Sequence, residues 1–237
     1  AADDVWVAGD EGTLLHWDGS AFSTVASGTA ETLYTVWGSG SRDVFAAGDA
    51  GVVRHWNGTA WSPLAGAPAV SLFALWGSGA SDLWVVGSHG LRLRWNRTTW
   101  SLLGSQSAQD LMGVWNSSAD AAWAVGAGGT ILHGDGGRWG AVPSGTTADL
   151  HAIWGNTASD LWAVGDSGTI LRWNGTAWKS FAAVTATALR GVWGRGASDV
   201  WAVGDGGAIW HWNGTSWSAA VSGVTTRLLG VWSSAAG

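Results

Sequence analysis

Six side chains able to donate hydrogen bonds recur at one position along the chain: His16, His55, Arg94, His133, Arg172 and His211. Each is followed by an aromatic-rich hairpin whose last ring falls at Phe22, Trp61, Trp100, Trp139, Trp178 or Trp217. An indole face beside a fixed guanidinium or imidazole suits a saccharide, because sugar C–H groups pack on rings while hydroxyls need oriented partners. The candidate ligand-binding residues are therefore Trp61, Trp100, Trp139, Trp178 and Trp217, with His16, His55, Arg94, Arg172 and His211. A plainer reading stands beside this one. Each Trp buries about 150–250 Å² when it cements neighbouring elements, and the donors would then only solvate outer strands. Both readings stay open for the outermost ring column, and the copy carrying Gly134 and Ala127 is expected to be vacant.

Other chemistry is weaker. A metal is not expected, since a zinc site needs ligands about 2 Å from a common point and the histidines are dispersed one per repeat. Absence of cysteine removes disulfides, thiolate sites and cysteine nucleophiles. Asp10, Asp49, Asp166 and Asp205 sit in Gly-Asp-x-Gly turns, where a self-bonding turn aspartate is the default reading. Asn57-Gly58-Thr59, Asn174-Gly175-Thr176 and Asn213-Gly214-Thr215 match the glycosylation sequon, but tight hairpins explain them equally well.

The repeats disagree at one place. Tyr34, Phe73, Met112, His151, Arg190 and Leu229 share a column, with Thr32, Ser71, Asp110, Asp149, Ala188 and Arg227 two places earlier. Together with Glu31 they are expected to gather at one mouth of a central channel, where a single asymmetric polar site could form. An enzyme would use this mouth as six-bladed sialidases do, with a Tyr/Glu nucleophile and an arginine cluster. Only Arg190 and Arg227 are placed to help, and the pattern Ser-x-Asp-x-Gly-x-Thr-Trp is absent. No catalytic residue and no cofactor are assigned.

Composition narrows the partners. The 237 residues carry 11 Lys or Arg against 17 Asp or Glu, for a net charge of −6, and Lys179 is the only lysine. No cationic patch is available for a phosphate backbone, so nucleic acid is not an expected partner. No apolar run reaches the roughly 18 residues of a membrane span. The chain opens without methionine and without a charged leader, so it is expected to be cut from a longer, secreted or cell-surface precursor.

Thirty-eight glycines and 22 tryptophans reveal the architecture. Starts at Asp4, Asp43, Asp82, Ala121, Asp160 and Asp199 lie 39 residues apart without insertion or deletion. The repeats are 4–42, 43–81, 82–120, 121–159, 160–198 and 199–237. Each holds four short runs rich in β-branched and aromatic residues, separated by Gly, Asp, Asn and Ser. Asp18-Gly19, Asn57-Gly58, Asp135-Gly136, Asn174-Gly175 and Asn213-Gly214 predict two-residue type I′ hairpins, with Asn96-Arg97 as the exception. That register pairs Trp56 with Thr59 and places Trp56 and Trp61 diagonally on one face.

Six such units predict an all-β, six-bladed β-propeller with four antiparallel strands per blade. One C-terminal strand, Leu228–Trp232, is expected to pair with Val5–Ala8 and close the ring with three N-terminal strands. The chain is thus one domain over 1–237 and is expected to be a monomer.

The recurring Gly-Val-Trp-Gly, Asp-Val-Trp-Ala-Val-Gly-Asp-Gly-Gly and Trp-Asn-Gly-Thr-x-Trp of residues 191–217 resemble the Trp-rich repeats of tectonin-type lectin propellers. They are also similar to tandem propeller repeats of bacterial surface proteins, and the even spacing suits an engineered or recently amplified ring. The lectin resemblance implies a multivalent carbohydrate-binding module with saccharides or glycoconjugates between adjacent blades. The alternative is a non-catalytic protein-interaction or adhesion scaffold that recognises a partner at the channel mouth.

Overall fold

The computed structural model describes residues 4–104, 108–118, 120–135 and 138–232. Its secondary structure consists of short antiparallel strands joined by turns, with no α-helix among the described residues. Six sheets follow one another along the chain, and in each the strands pair in sequence order. The strands shorten across a sheet: in the fifth, Leu150–Thr157, Asp160–Gly165, Ile170–Trp173 and Trp178–Ser180 succeed one another. The chain divides into two compact units, Ala1–Leu111 and Met112–Gly237. Each holds three sheets and its own core.

The second strand of each sheet lies deepest. Leu161, Trp162, Ala163 and Val164 have no exposed surface, which explains why these strands read as continuous apolar runs instead of alternating ones. Inner strands interlock through the recurring Trp-Gly pair. A Cβ at Gly155 would lie 2.6 Å from the Trp115 ring of the preceding sheet, and Gly77 and Gly194 make the same room for Trp37 and Trp154. Glycine at this position is a seat for the neighbouring indole.

The Gly-Asp-x-Gly segments are single turns, as expected. In the second sheet the Val52 amide donates to Asp49 O at 3.0 Å, and Gly51 has φ +73° with Pro68 O pressed against its α-carbon. Neither the angle nor the space admits a side chain there.

The outer hairpins differ from the expected register by two residues. Trp56 lies directly opposite Trp61, and His55 opposite Ser62, so the two rings are cross-strand neighbours and not diagonal ones. Asn57 Oδ1 accepts hydrogen bonds from the Thr59 amide, the Thr59 hydroxyl and the Ala60 amide at 2.9, 2.8 and 3.1 Å. These bonds hold asparagine at the first corner, leaving Gly58 and Thr59 as the central pair with positive φ at Gly58 alone. That is the pattern of a type II′ turn. In the third sheet Arg97 adopts the same left-handed angle, φ +77°. Gly136 of the Asp135-Gly136 pair lies outside the described residues.

The first sheet has three described strands, Val5–Ala8, Leu14–Trp17 and Phe22–Thr24. The Leu228 amide donates to Gly204 O at 3.0 Å, as the Leu33 amide does to Gly9 O when an inner strand begins. Leu228–Trp232, expected as a closing strand, then continues without strand structure, and 233–237 lie outside the described residues. In the second sheet, by contrast, the inner strand Leu33–Gly40 passes into its neighbour Asp43–Gly48 through the tight turn Ser41-Arg42.

Candidate functional site

The donor column and the rings directly across the ladder from it form a repeated stack. Trp6 pairs across the ladder with His16, and the two rings stack at 4.4 Å. His16 Nε2 meets Asp4 Oδ1 at 2.8 Å. On its other side Trp6 touches Trp56 and Trp61 of the next sheet, each at 5.1 Å. His55 repeats the arrangement with Asp43 and Phe45, at 2.7 and 4.5 Å, and His211 with Asp199 and Trp201, at 2.8 and 4.1 Å. Arginine does the same: Arg94 bonds Asp82 at 2.9 Å and lies 5.5 Å over Trp84, while Arg172 bonds Asp160 at 2.8 Å and lies 4.8 Å over Trp162. An acid holds a cation or imidazole flat on an indole, where ring quadrupole and charge attract. Burial works to raise the Asp199 carboxyl, but hydrogen bonds from His211, Arg195 and Trp201 hold it below the usual range.

The structure therefore gives each of the five anticipated donors an internal partner. The facing of donor and aromatic columns across neighbouring sheets holds within each unit, yet the space between them is occupied by the ring that each donor stacks on, such as Trp6 or Trp162. Trp61, Trp139 and Trp178 are buried, while Trp100 and Trp217 are half-buried. Two open clefts lie elsewhere, one along Glu11–Leu14 and Thr24–Ala30, the other along Gly207–Trp210 and Ala219–Thr225; none of the ten anticipated residues lines either. The acids Asp4, Asp43, Asp82, Asp160 and Asp199 were legible as repeat starts, but their bond to the residue twelve places on was not read from the sequence.

The column of disagreement behaves differently. The carboxylates of Asp49, Asp166 and Asp205 do not bond their own turns, as the default reading had it, but reach the inner-strand starts. In the first unit, Asp49 accepts from Tyr34 Oη at 2.9 Å and Ser71 Oγ at 2.7 Å. Burial first, and then the Asp49 bond, push the Tyr34 hydroxyl up.

The second unit carries a longer chain of charge. His151 Nδ1 lies 3.3 Å from Met112 Sδ, and its Nε2 lies 2.7 Å from both Asp166 Oδ1 and Arg190 Nη1. Arg190 reaches on to Asp205 through Nη2 at 2.8 Å, and Arg227 Nε meets the same carboxylate at 2.7 Å. The bond to Asp205 pushes the Arg190 guanidinium up, and the Arg190 bond holds the Asp205 carboxyl down. Sequence reasoning named His151, Arg190 and Arg227; it missed Asp166 and Asp205 as their partners. No cluster of His, Asp and Glu suited to a metal occurs among the described residues, and no described helix is long and apolar enough to cross a membrane.

No protein-family model matches the chain, and no curated protein matches it. Solved structures do. YCF48 bound to D1 peptide is 18% identical, with a TM-score of 0.73 over 93% of this chain and 78% of its own. YCF48 from Cyanidioschyzon merolae is 17% identical, with a TM-score of 0.73 over 94% of this chain and 83% of its own. The WD40 β-propeller domain of Doa1 is 11% identical, with a TM-score of 0.78 over 91% of this chain and 79% of its own. At such identities the likeness speaks for fold alone: the chain is a six-bladed, Trp-rich β-propeller built from four-stranded antiparallel blades.

Proposed function

We propose that this propeller is a non-catalytic interaction module that recognises a peptide or protein partner at the inner-strand starts of its second unit. The observation that carries the reading is the linked, partly exposed row His151, Asp166, Arg190, Asp205 and Arg227, in which His151, Arg190 and Arg227 come from the two columns where the repeats diverge. Shared architecture requires similar residues at repeated positions, so divergent charged side chains there are available for recognition. That one structural neighbour is described as bound to a peptide fits this reading. A peptide array tests it: a subset of peptides should bind the protein, and Arg190→Ala should weaken that subset at least tenfold. Binding to no peptide, or binding indifferent to the substitution, would refute it.

A second reading, multivalent saccharide binding, draws on Trp100 and Trp217, whose half-buried rings leave some face open. Several weak sites on one chain would act by avidity. A glycan array, with Trp217→Ala as the control, separates this reading from the first.

A further inference from the structure

His151 Nε2 has two neighbours at 2.7 Å that make opposite demands on it. Asp166 Oδ1 can only accept a proton, and Arg190 Nη1 can only donate one. A neutral imidazole satisfies one of them. With Nδ1–H directed at Met112 Sδ, 3.3 Å away, Nε2 accepts from Arg190 and offers Asp166 no proton. An imidazolium donates from both nitrogens, bonds Asp166, and repels the guanidinium.

Arg190 has another anchor, and so does Arg227. Both meet Asp205, so two guanidinium groups share one carboxylate. Arg227 is 60% exposed and uses Nε for that contact, so its terminal nitrogens form a fork that can take a further carboxylate. The five side chains sum to zero charge while His151 is neutral and to +1 when it is protonated. Met112, the third contact of His151, is uncharged, and Asp149, two residues before His151, has its Oδ1 engaged by the Gly128 amide at 2.7 Å.

We propose that Arg190 and Arg227 form a docking site for the carboxylates of an acidic partner segment, and that protonation of His151 strengthens it. Protonation neutralises Asp166 and frees Arg190 Nη1 to join the Arg227 fork. The inference rests on the interaction reading above and names the partner's chemistry and its regulation. Binding should tighten between pH 7.5 and pH 5.5, a range in which glutamates, titrating near 4.3, stay ionised.

The test is fluorescence anisotropy with a labelled hexaglutamate peptide and its hexaglutamine counterpart, at low salt, at pH 7.5 and 5.5. Hexaglutamate should bind at least tenfold tighter than hexaglutamine and gain a further fivefold or more at pH 5.5. Arg227→Gln, at an exposed position, should reduce hexaglutamate affinity about tenfold with unchanged tryptophan emission. His151→Gln should keep binding at pH 7.5 and lose the acid gain. Equal affinity for the two peptides overturns the inference, as does an acid gain that survives in His151→Gln. Array peptides that are neutral yet sensitive to Arg190→Ala would uphold the interaction reading and sink this one.

Discussion

The fourth and fifth sheets are built on one plan, but the fourth lacks an acid and a hairpin ring that the fifth has. In the fifth, Asp160 anchors Arg172 over Trp162, and Trp212 and Trp217 of the next sheet close on that ring at 5.2 and 5.3 Å. In the fourth, Ala121 stands where the acid would be and Gly134 where the hairpin Trp would be. Trp123 nevertheless stacks on His133 at 4.2 Å and meets Trp173 and Trp178 at 4.8 and 5.6 Å. The two central rings are almost equally buried, at 2% and 0% exposure. Trp139 lies over Gly134 so closely that a Cβ would sit 2.7 Å from its ring. The rings define the packing, and the acid–cation pair is an added tether.

If that is right, removing the central ring should cost about the same in both sheets. Trp162→Ala and Trp123→Ala should each lose about 3–5 kcal/mol in chemical denaturation; a much smaller loss for Trp123 would return primacy to the ion pair. Restoring the missing hairpin ring with Gly134→Trp should destabilise by about 1–3 kcal/mol, because Trp139 already fills the space. A gain in stability would show the fourth sheet to be underpacked. Asp160→Ala should cost roughly 1–2 kcal/mol, since Arg172 keeps its ring but loses its acceptor.

The smallest effect concerns pH. Burial pushes the His133 imidazole down, with Asp135 opposing. A folded-state value below the unfolded one means that the unfolded chain binds more protons, so this contribution is present above about pH 6.5 and is lost as pH falls toward the folded value. Ala121→Asp would recreate the pair seen between Asp4 and His16 and raise the value. Less of this contribution would then be lost as pH falls. Imidazole NMR titration reads the upward shift directly, and an unmoved resonance would show that the introduced carboxylate does not reach the ring.

Much of the fold was legible because its signals are local. The period from Asp4 to Asp199, the Gly-Asp-x-Gly turns and the β-branched runs act over a few residues. The candidate site was half legible. His151, Arg190 and Arg227 stood out by breaking the repeat, whereas Asp166 and Asp205 looked like ordinary turn residues because every copy places a turn there. The hairpin register went astray by two residues because Asn57 Oδ1 takes three donors at the corner, a bonding choice that the pair Asn-Gly does not disclose.

The amino-acid sequence by itself determined the number of blades, the strand order within each, and the columns that share a face, since all follow from periodicity and turn chemistry. Tertiary structure decided which of those columns remain open. Whether an indole meets solvent or another ring depends on what the adjoining sheet presents, and whether a histidine pairs with one neighbour or is contested by two depends on side chains 15 and 39 residues away. Those separations are bridged only when the sheets pack.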